Sequence, residues 1–158
     1  MKTKKVILFI VEGISDKTSF ALILSNLIKT KNIQFHIVNG DITSDRYTTV
    51  TNAITKVHEQ IKNFLENKFF QKKDILKVIH LLDTDGAYVG KDYIKEDDIE
   101  GFLYSPDFIK AGNIDLVLAR NDKKSRVVNK LSARPEIASI PYSMYYFSCN
   151  LEHVLHSQ

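Results

Sequence analysis

The sequence predicts an α/β fold, with a mainly parallel central sheet flanked by helices. Three observations lead there. Lys5 to Val11 is a continuous β-rich apolar run, the mark of a strand buried on both faces. Two more short apolar runs, Ile33 to Val38 and Leu76 to Leu82, follow it. The segments between these runs carry helical periodicity. Strand, helix, strand, helix, strand is the pattern of parallel strands joined by crossover helices, whose ligands sit beyond the carboxyl ends of the strands.

The first strand ends in Glu12-Gly13, and Ser15 then caps a helix in which Phe20, Ile23, Leu24, Leu27 and Ile28 fall on one face. The second strand stops at Asn39-Gly40-Asp41, a turn signal. A second helix is expected from about Tyr47 to Glu66, because Val50, Ala53, Ile54, Val57, Ile61, Phe64 and Leu65 share a face. The third strand ends abruptly in Asp83-Thr84-Asp85-Gly86. From Ala87 to Asn113 the chain is polar, acidic and without a sustained period, so it reads as loop with short helical pieces. Ile114 to Ala119 reads as a fourth strand, Asp122 to Leu131 as a basic helix and Ser143 to Phe147 as a short aromatic strand. Arg134-Pro135 and Ile140-Pro141 read as turns between them.

The chain has 158 residues, 44% hydrophobic and 26% charged, which suits one domain spanning 1–158. A chain of that length buries about two-thirds of the surface its unfolded form exposes and needs no disulfide or structural metal to fold. The single cysteine, Cys149, cannot form an internal bridge, so a reducing, cytoplasmic setting is expected. No apolar run approaches the roughly 20 residues of a membrane span, and Glu12 interrupts the stretch that faintly imitates a signal peptide. No membrane partner is expected. The chain ends inside an expected helix at Gln158, which leaves room for a C-terminal extension.

Charge is distributed unevenly. Asp83 to Asp107 holds eight acidic and two basic residues, whereas Arg120 to Arg134 holds six basic residues and one acid. An acidic region that can hold cations, followed by a basic one that can hold phosphates, suits phosphodiester chemistry. The same counts also describe two solvated faces.

Glu12 follows the first strand, and Asp83 and Asp85 follow the third. In a parallel sheet these ends point the same way. Asp83 and Asp85 can present both carboxylates to one side while Gly86 lets the chain turn away. With Glu12 they make three hard oxygen donors, a set suited to Mg²⁺ or Mn²⁺. Read singly, Glu12 is a carboxylate near a helix start, and Asp83 and Asp85 are ordinary turn residues.

The stretch Val6-Ile7-Leu8-Phe9-Ile10-Val11-Glu12-Gly13-Ile14-Ser15-Asp16-Lys17 resembles the first motif of the TOPRIM domain, an apolar strand ending in Glu-Gly. His80-Leu81-Leu82-Asp83-Thr84-Asp85-Gly86 is similar to its second, the Asp-x-Asp motif. The likeness covers roughly Lys5 to Gly86 and implies a Rossmann-like TOPRIM fold. It also implies a nuclease in which Glu12, Asp83 and Asp85 support Mg²⁺ or Mn²⁺ chemistry on DNA or RNA. Glu12 is either an ion ligand or a general acid or base. Phe147 to His156 is similar to an Asn-x-Glu element of TOPRIM-like defence proteins, which would make Glu152 a further metal or water ligand and Asn150 its cap. Relatives of the OLD (overcoming lysogenization defect) and abortive-infection type imply phage defence. No Gly-x-x-x-x-Gly-Lys-Ser/Thr phosphate loop occurs, so the ATPase of such proteins is absent from this sequence.

Arg120, Lys123, Lys124, Arg126 and Lys130 are candidate phosphate contacts, with Arg120 expected nearest the acidic edge. Tyr142, Tyr145, Tyr146 and Phe147 can stack bases or pack a core. His80, inside an apolar strand, reads as a core histidine, and His58 as exposed. His153 and His156 lack a third ligand for zinc, and Cys149 has no triad motif. Two other functions stay open. One is a non-catalytic TOPRIM-like module that binds nucleic acid or protein, with the acidic loop Asp92 to Glu100 as a partner surface and self-association included. The other is a haloacid-dehalogenase-type phosphatase, which Asp83-Thr84-Asp85-Gly86 also resembles, although Ala87 stands where that motif has threonine.

Overall fold

The apolar run near the start of the chain forms strand β1, Lys5–Val11, and its period of two sends side chains to both faces of a sheet. Val6, Leu8 and Ile10 enter one apolar cluster, while Phe9 and Val11 enter another on the opposite face. Both faces are therefore covered, which explains why no alternation is visible in the sequence. The computed structural model describes residues 5–12, 33–105 and 107–147. The expected helix after Ser15, Asp16, and the C-terminal Cys149, Asn150, Glu152, His153 and His156 all lie outside the described residues.

Strand β2, Ile33–Asn39, and strand β3, Ile75–Asp83, flank β1 in parallel. Strand β8, Ile140–Phe147, pairs in parallel with β3, and the two-residue β7, Glu136–Ile137, closes the edge antiparallel to β8. The sheet order is β2-β1-β3-β8-β7, a mostly parallel arrangement with β1 and β3 side by side near its centre.

Helices α1, Ala53–Asn67, and α2, Ile114–Ser132, supply Ala53, Val57, Ile61, Phe64, Val127 and Leu131 to the cluster that contains Val6, Leu8, Ile10 and Val78. Burying each of these larger aliphatic side chains contributes about 1.5–3 kcal/mol. No helix among the described residues is long and apolar enough to cross a membrane.

Four expectations need correction. Helix α1 begins at Ala53 rather than near Tyr47, because Thr49 and Asn52 hydrogen-bond each other's backbone N–H (2.7 and 3.3 Å) and hold this segment in a turn. Ile114 to Ala119 is the first part of α2 and not a strand. Asn113 caps it by accepting from the Leu116 N–H at 3.0 Å, and Val117, Asn121, Lys124 and Val128 are buried at the three- and four-residue spacing of one helical face.

The stretch from Ala87 to Asn113 is not only loop and short helical pieces. After a 3-10 turn at Lys91–Tyr93 it forms β4 (Ile94–Glu96), β5 (Phe102–Tyr104) and β6 (Ile109–Ala111), a small sheet of order β4-β6-β5. Ile94, Ile109, Ala111 and Val117 pack beneath it. Three-residue strands are too short to show a period. Finally, Ile140-Pro141 begins β8 instead of making a turn; the turn is Ala138-Ser139, with φ of 55° and 56°, the two left-handed residues that a tight hairpin requires. Pro141 is tolerated next to the strand's first residue.

Candidate functional site

The carboxyl ends of β1, β2 and β3 lie together, because the Glu12 N–H donates to the Leu81 carbonyl (3.2 Å) and the Gly40 N–H to the Val11 carbonyl (3.0 Å). The site grows from this edge. Glu12 is only 7% exposed. Its Oε1 accepts from the backbone N–H groups of Ile42 (3.2 Å) and Thr43 (2.7 Å), and its Oε2 from the Thr43 hydroxyl (2.5 Å). The loop after β2 thus closes over the end of β1.

His80 is fully buried in β3, with Nδ1 2.8 Å from the Tyr142 hydroxyl and Nε2 3.5 Å from Glu12 Oε1. That second separation is the outer limit of a hydrogen bond; Nε2 has no better partner among the described residues, so its effect on Glu12 is chiefly that of a close polar neighbour. Burial pushes the Glu12 carboxyl up, but His80, Thr43 and Lys124 together outweigh it and hold the group below the ordinary glutamate range. Glu12 is a fixed anion. Asp41, at the rim of the same loop, is pushed up by desolvation and then by the Glu12 charge. Burial and the same charge raise the Tyr142 phenol, which stays protonated.

The turn after β3 carries Asp85 and Gly86, both left-handed with φ of 47° and 71°. Glycine is favoured at the second position by its positive φ, and a Cβ there would stand 2.8 Å from Ile109 Cδ1, which would have to shift. The turn aims Asp85 at α2. Lys124, 2% exposed, places Nζ 2.5 Å from Asp85 Oδ2 and 2.8 Å from Ser44 Oγ. Arg120 donates from Nη1 to the Asp85 carbonyl (3.0 Å), and its Nη2 lies 3.6 Å from Asp85 Oδ2. Lys123 donates to the carbonyls of Asp45 (2.9 Å) and Arg46 (3.1 Å).

Asp83 takes a different course. Register puts it on the face of β3 shared by Ile79 and Leu81, whereas Glu12 meets His80 and Asp85 meets α2 on the opposite face. Glu12, Asp83 and Asp85 share one edge of the sheet but do not converge as ligands of one ion. Among the described residues no three such groups do. Both Glu12 oxygens are engaged by protein donors, a lysine ammonium stands on Asp85 Oδ2 and Asp83 lies on the other face of β3, so these three carboxylates as placed do not form a site that fits Mg²⁺ or Mn²⁺.

The candidate cations divide as well. Lys124 is an interior counter-ion and not an exposed phosphate contact; Arg120 and Lys123 hold loop backbone at the rim. Arg126 pairs with Asp122 on the exposed surface (3.5 Å), and Lys130 follows one turn later. Lys123, Arg126 and Lys130 lie three and four residues apart, one stripe of the helix.

Sequence reasoning missed Thr43, Ser44 and Asp41, and it left His80 in the core without its link to Glu12. The one available signal was positional: the loop after β2 had to start at the same edge as Glu12, and its Thr43 and Ser44 hydroxyls meet Glu12 as donor and Lys124 as acceptor. The chain matches no protein-family model, and comparison with curated proteins and with solved structures returns no match.

Proposed function

We propose that this chain is a TOPRIM-like nucleic-acid-processing enzyme that hydrolyses phosphodiester bonds at the carboxyl edge of its central sheet. One observation carries the reading: adjacent parallel strands end in Glu12 and in Asp83-Thr84-Asp85-Gly86, with Arg120, Lys123 and Lys124 of α2 reaching the same edge. In such a reaction water attacks phosphorus, the bond to the leaving oxygen breaks, and the water proton passes to that oxygen. Negative charge spreads over the phosphoryl oxygens, and fixed cations at the rim favour it. Arg120, partly exposed, is the group best placed for this role. Mg²⁺ or Mn²⁺ enters the proposal through the resemblance alone, and Asp85 can offer its carboxylate only by giving up Lys124. A phage-defence setting likewise rests on the resemblance, and a cytoplasmic one on the single cysteine of the sequence.

A second reading, a nucleic-acid-binding module without turnover, is favoured by a specific observation. The oxygens of Glu12 and the Oδ2 of Asp85 are already engaged by protein donors. Labelled single- and double-stranded DNA and RNA, incubated with chelator-treated protein with and without added Mg²⁺ or Mn²⁺, separate the two. Cleavage by the native chain that is lost in Asp85→Asn supports the enzyme. Binding without cleavage under every condition supports the module, and neither binding nor cleavage refutes both.

A further inference from the structure

The turn that follows Asp85 opens directly onto a second feature. A cleft of about 530 Å³ begins at Gly86 and is walled by Tyr88, Tyr93, Tyr104 and Phe108, with Ser105 and Asp107 among its polar lining. Tyr93 is 61% exposed and Tyr88 54%; the Tyr88 hydroxyl donates to Asn129 Oδ1 at 2.8 Å, so Tyr93 is the ring that neither burial nor a side-chain hydrogen bond among the described residues accounts for. Gly90, also on the wall, has open space where a Cβ would stand.

The cleft is tied to the acidic edge by hydrogen bonds. The Tyr104 hydroxyl donates to the Asp85 carbonyl at 2.7 Å, and Arg120 Nη1 donates to the same oxygen at 3.0 Å. Arg120 also lies 4.6 Å above the Phe102 ring. Lys95 stands 4.1 Å above the Phe108 ring. The cleft is therefore lined by aromatic side chains and begins one residue from Asp85, with one cation, Arg120, against Tyr104 and another, Lys95, against Phe108.

We propose that this cleft is a subsite for an unpaired nucleobase of a single-stranded nucleic acid whose backbone crosses the rim at Arg120. The inference rests on the nucleic-acid reading of the adjacent edge and adds the strand form that the edge accepts. A base offers a flat π-face to Tyr93 and Phe108, and an aromatic platform of this kind tolerates any sequence. Asp107 supplies a hydrogen-bond acceptor for a base amino group. A duplex has its bases stacked within the helix and cannot fill the cleft. Arg120, against Tyr104, and Lys95, against Phe108, are the cations available to the phosphates of the inserted nucleotide.

The test is binding in chelator, so that no cleavage intervenes, followed by fluorescence anisotropy. The probes are a labelled single-stranded oligonucleotide, an abasic oligonucleotide with the same number of phosphates, and the corresponding duplex. The native chain is expected to bind the single strand about 10-fold more tightly than the abasic probe or the duplex. Tyr93→Ala, an exposed substitution with little folding cost, is expected to erase most of that preference and leave abasic binding unchanged. Tyr93→Phe, which keeps the ring, is expected to retain the preference. Equal affinity for the base-bearing and abasic strands overturns the cleft proposal while leaving the edge a phosphate site. Absence of binding to all three probes overturns the nucleic-acid reading and the cleft with it.

Discussion

Replacing Glu12 with glutamine asks whether the end of β1 is held by an anion or merely carries one. The carboxylate accepts from two backbone N–H groups and one hydroxyl at 3.2, 2.7 and 2.5 Å, in a setting that is 7% exposed. Glutamine keeps the shape, and its oxygen can stay on the Ile42 and Thr43 amides while the Thr43 hydroxyl rotates to accept from its NH₂. What disappears is the charge on three hydrogen bonds. Bonds to charged groups are worth about 1 kcal/mol more than neutral ones, so about 3 kcal/mol is lost, offset in part because a neutral amide costs less to bury.

A net destabilisation of about 2 kcal/mol is expected, which at this chain length lowers Tm by about 4–8 °C. The pH dependence has a definite sign. Because the folded Glu12 is held below its unfolded value of about 4.3, its contribution is complete above that pH and is lost as the pH falls through the lower, folded value. Chemical denaturation of both proteins between pH 7 and pH 3 checks this. The gap between them is expected to be constant down to about pH 4.5 and to close below it. The reasoning fails if Glu12→Gln is as stable as the native chain or more so, the behaviour of an open acidic cluster in which removing one charge relieves repulsion.

Three further outcomes follow from the same geometry. Lys124→Met keeps the apolar stem but deletes the ammonium on Asp85; it is expected to cost about 2–3 kcal/mol, below the ~3–5 of a fully buried pair because Asp85 is 25% exposed. Adding Asp85→Asn is expected to recover about half of that in urea denaturation, and strict additivity of the two substitutions would speak against the pair. Gly86→Ala combines φ of 71° with a Cβ 2.8 Å from Ile109 Cδ1 and is expected to lower stability by about 1–3 kcal/mol, read as a Tm shift; no shift means that the turn is not held there. Arg126→Ala with Lys130→Ala is expected to leave Tm unchanged and to reduce the salt dependence of nucleic-acid binding by up to about two phosphate contacts. An unchanged salt slope removes that stripe from the interface.

Much of the fold was legible because its central strands are long and apolar. β1 was found with its full boundaries and β2 and β3 to within one residue at either end, since seven to nine β-rich residues outweigh local alternatives. The small sheet was not legible, because strands of three residues are held by long-range pairing and leave no period to read. The apolar residues from Ile114 to Ala119 misled for a related reason: their propensity is a weak prior, and the cap at Asn113 and the continuous helix beyond decided the outcome.

By itself the sequence determined that Glu12 and the Asp83-to-Asp85 turn each close an apolar strand, because strand ends and turn residues are local properties. It also determined that a basic helix follows an acidic stretch. Only the tertiary structure decided what those charges meet. Alternation across β3 sends Asp83 to one face while a left-handed turn returns Asp85 to the other, and α2 presents Lys124 inward at the one turn where an ammonium reaches it. Thr43, 31 residues from Glu12 along the chain, became its closest partner, since hydrogen bonds depend on distance in space, which no local pattern encodes.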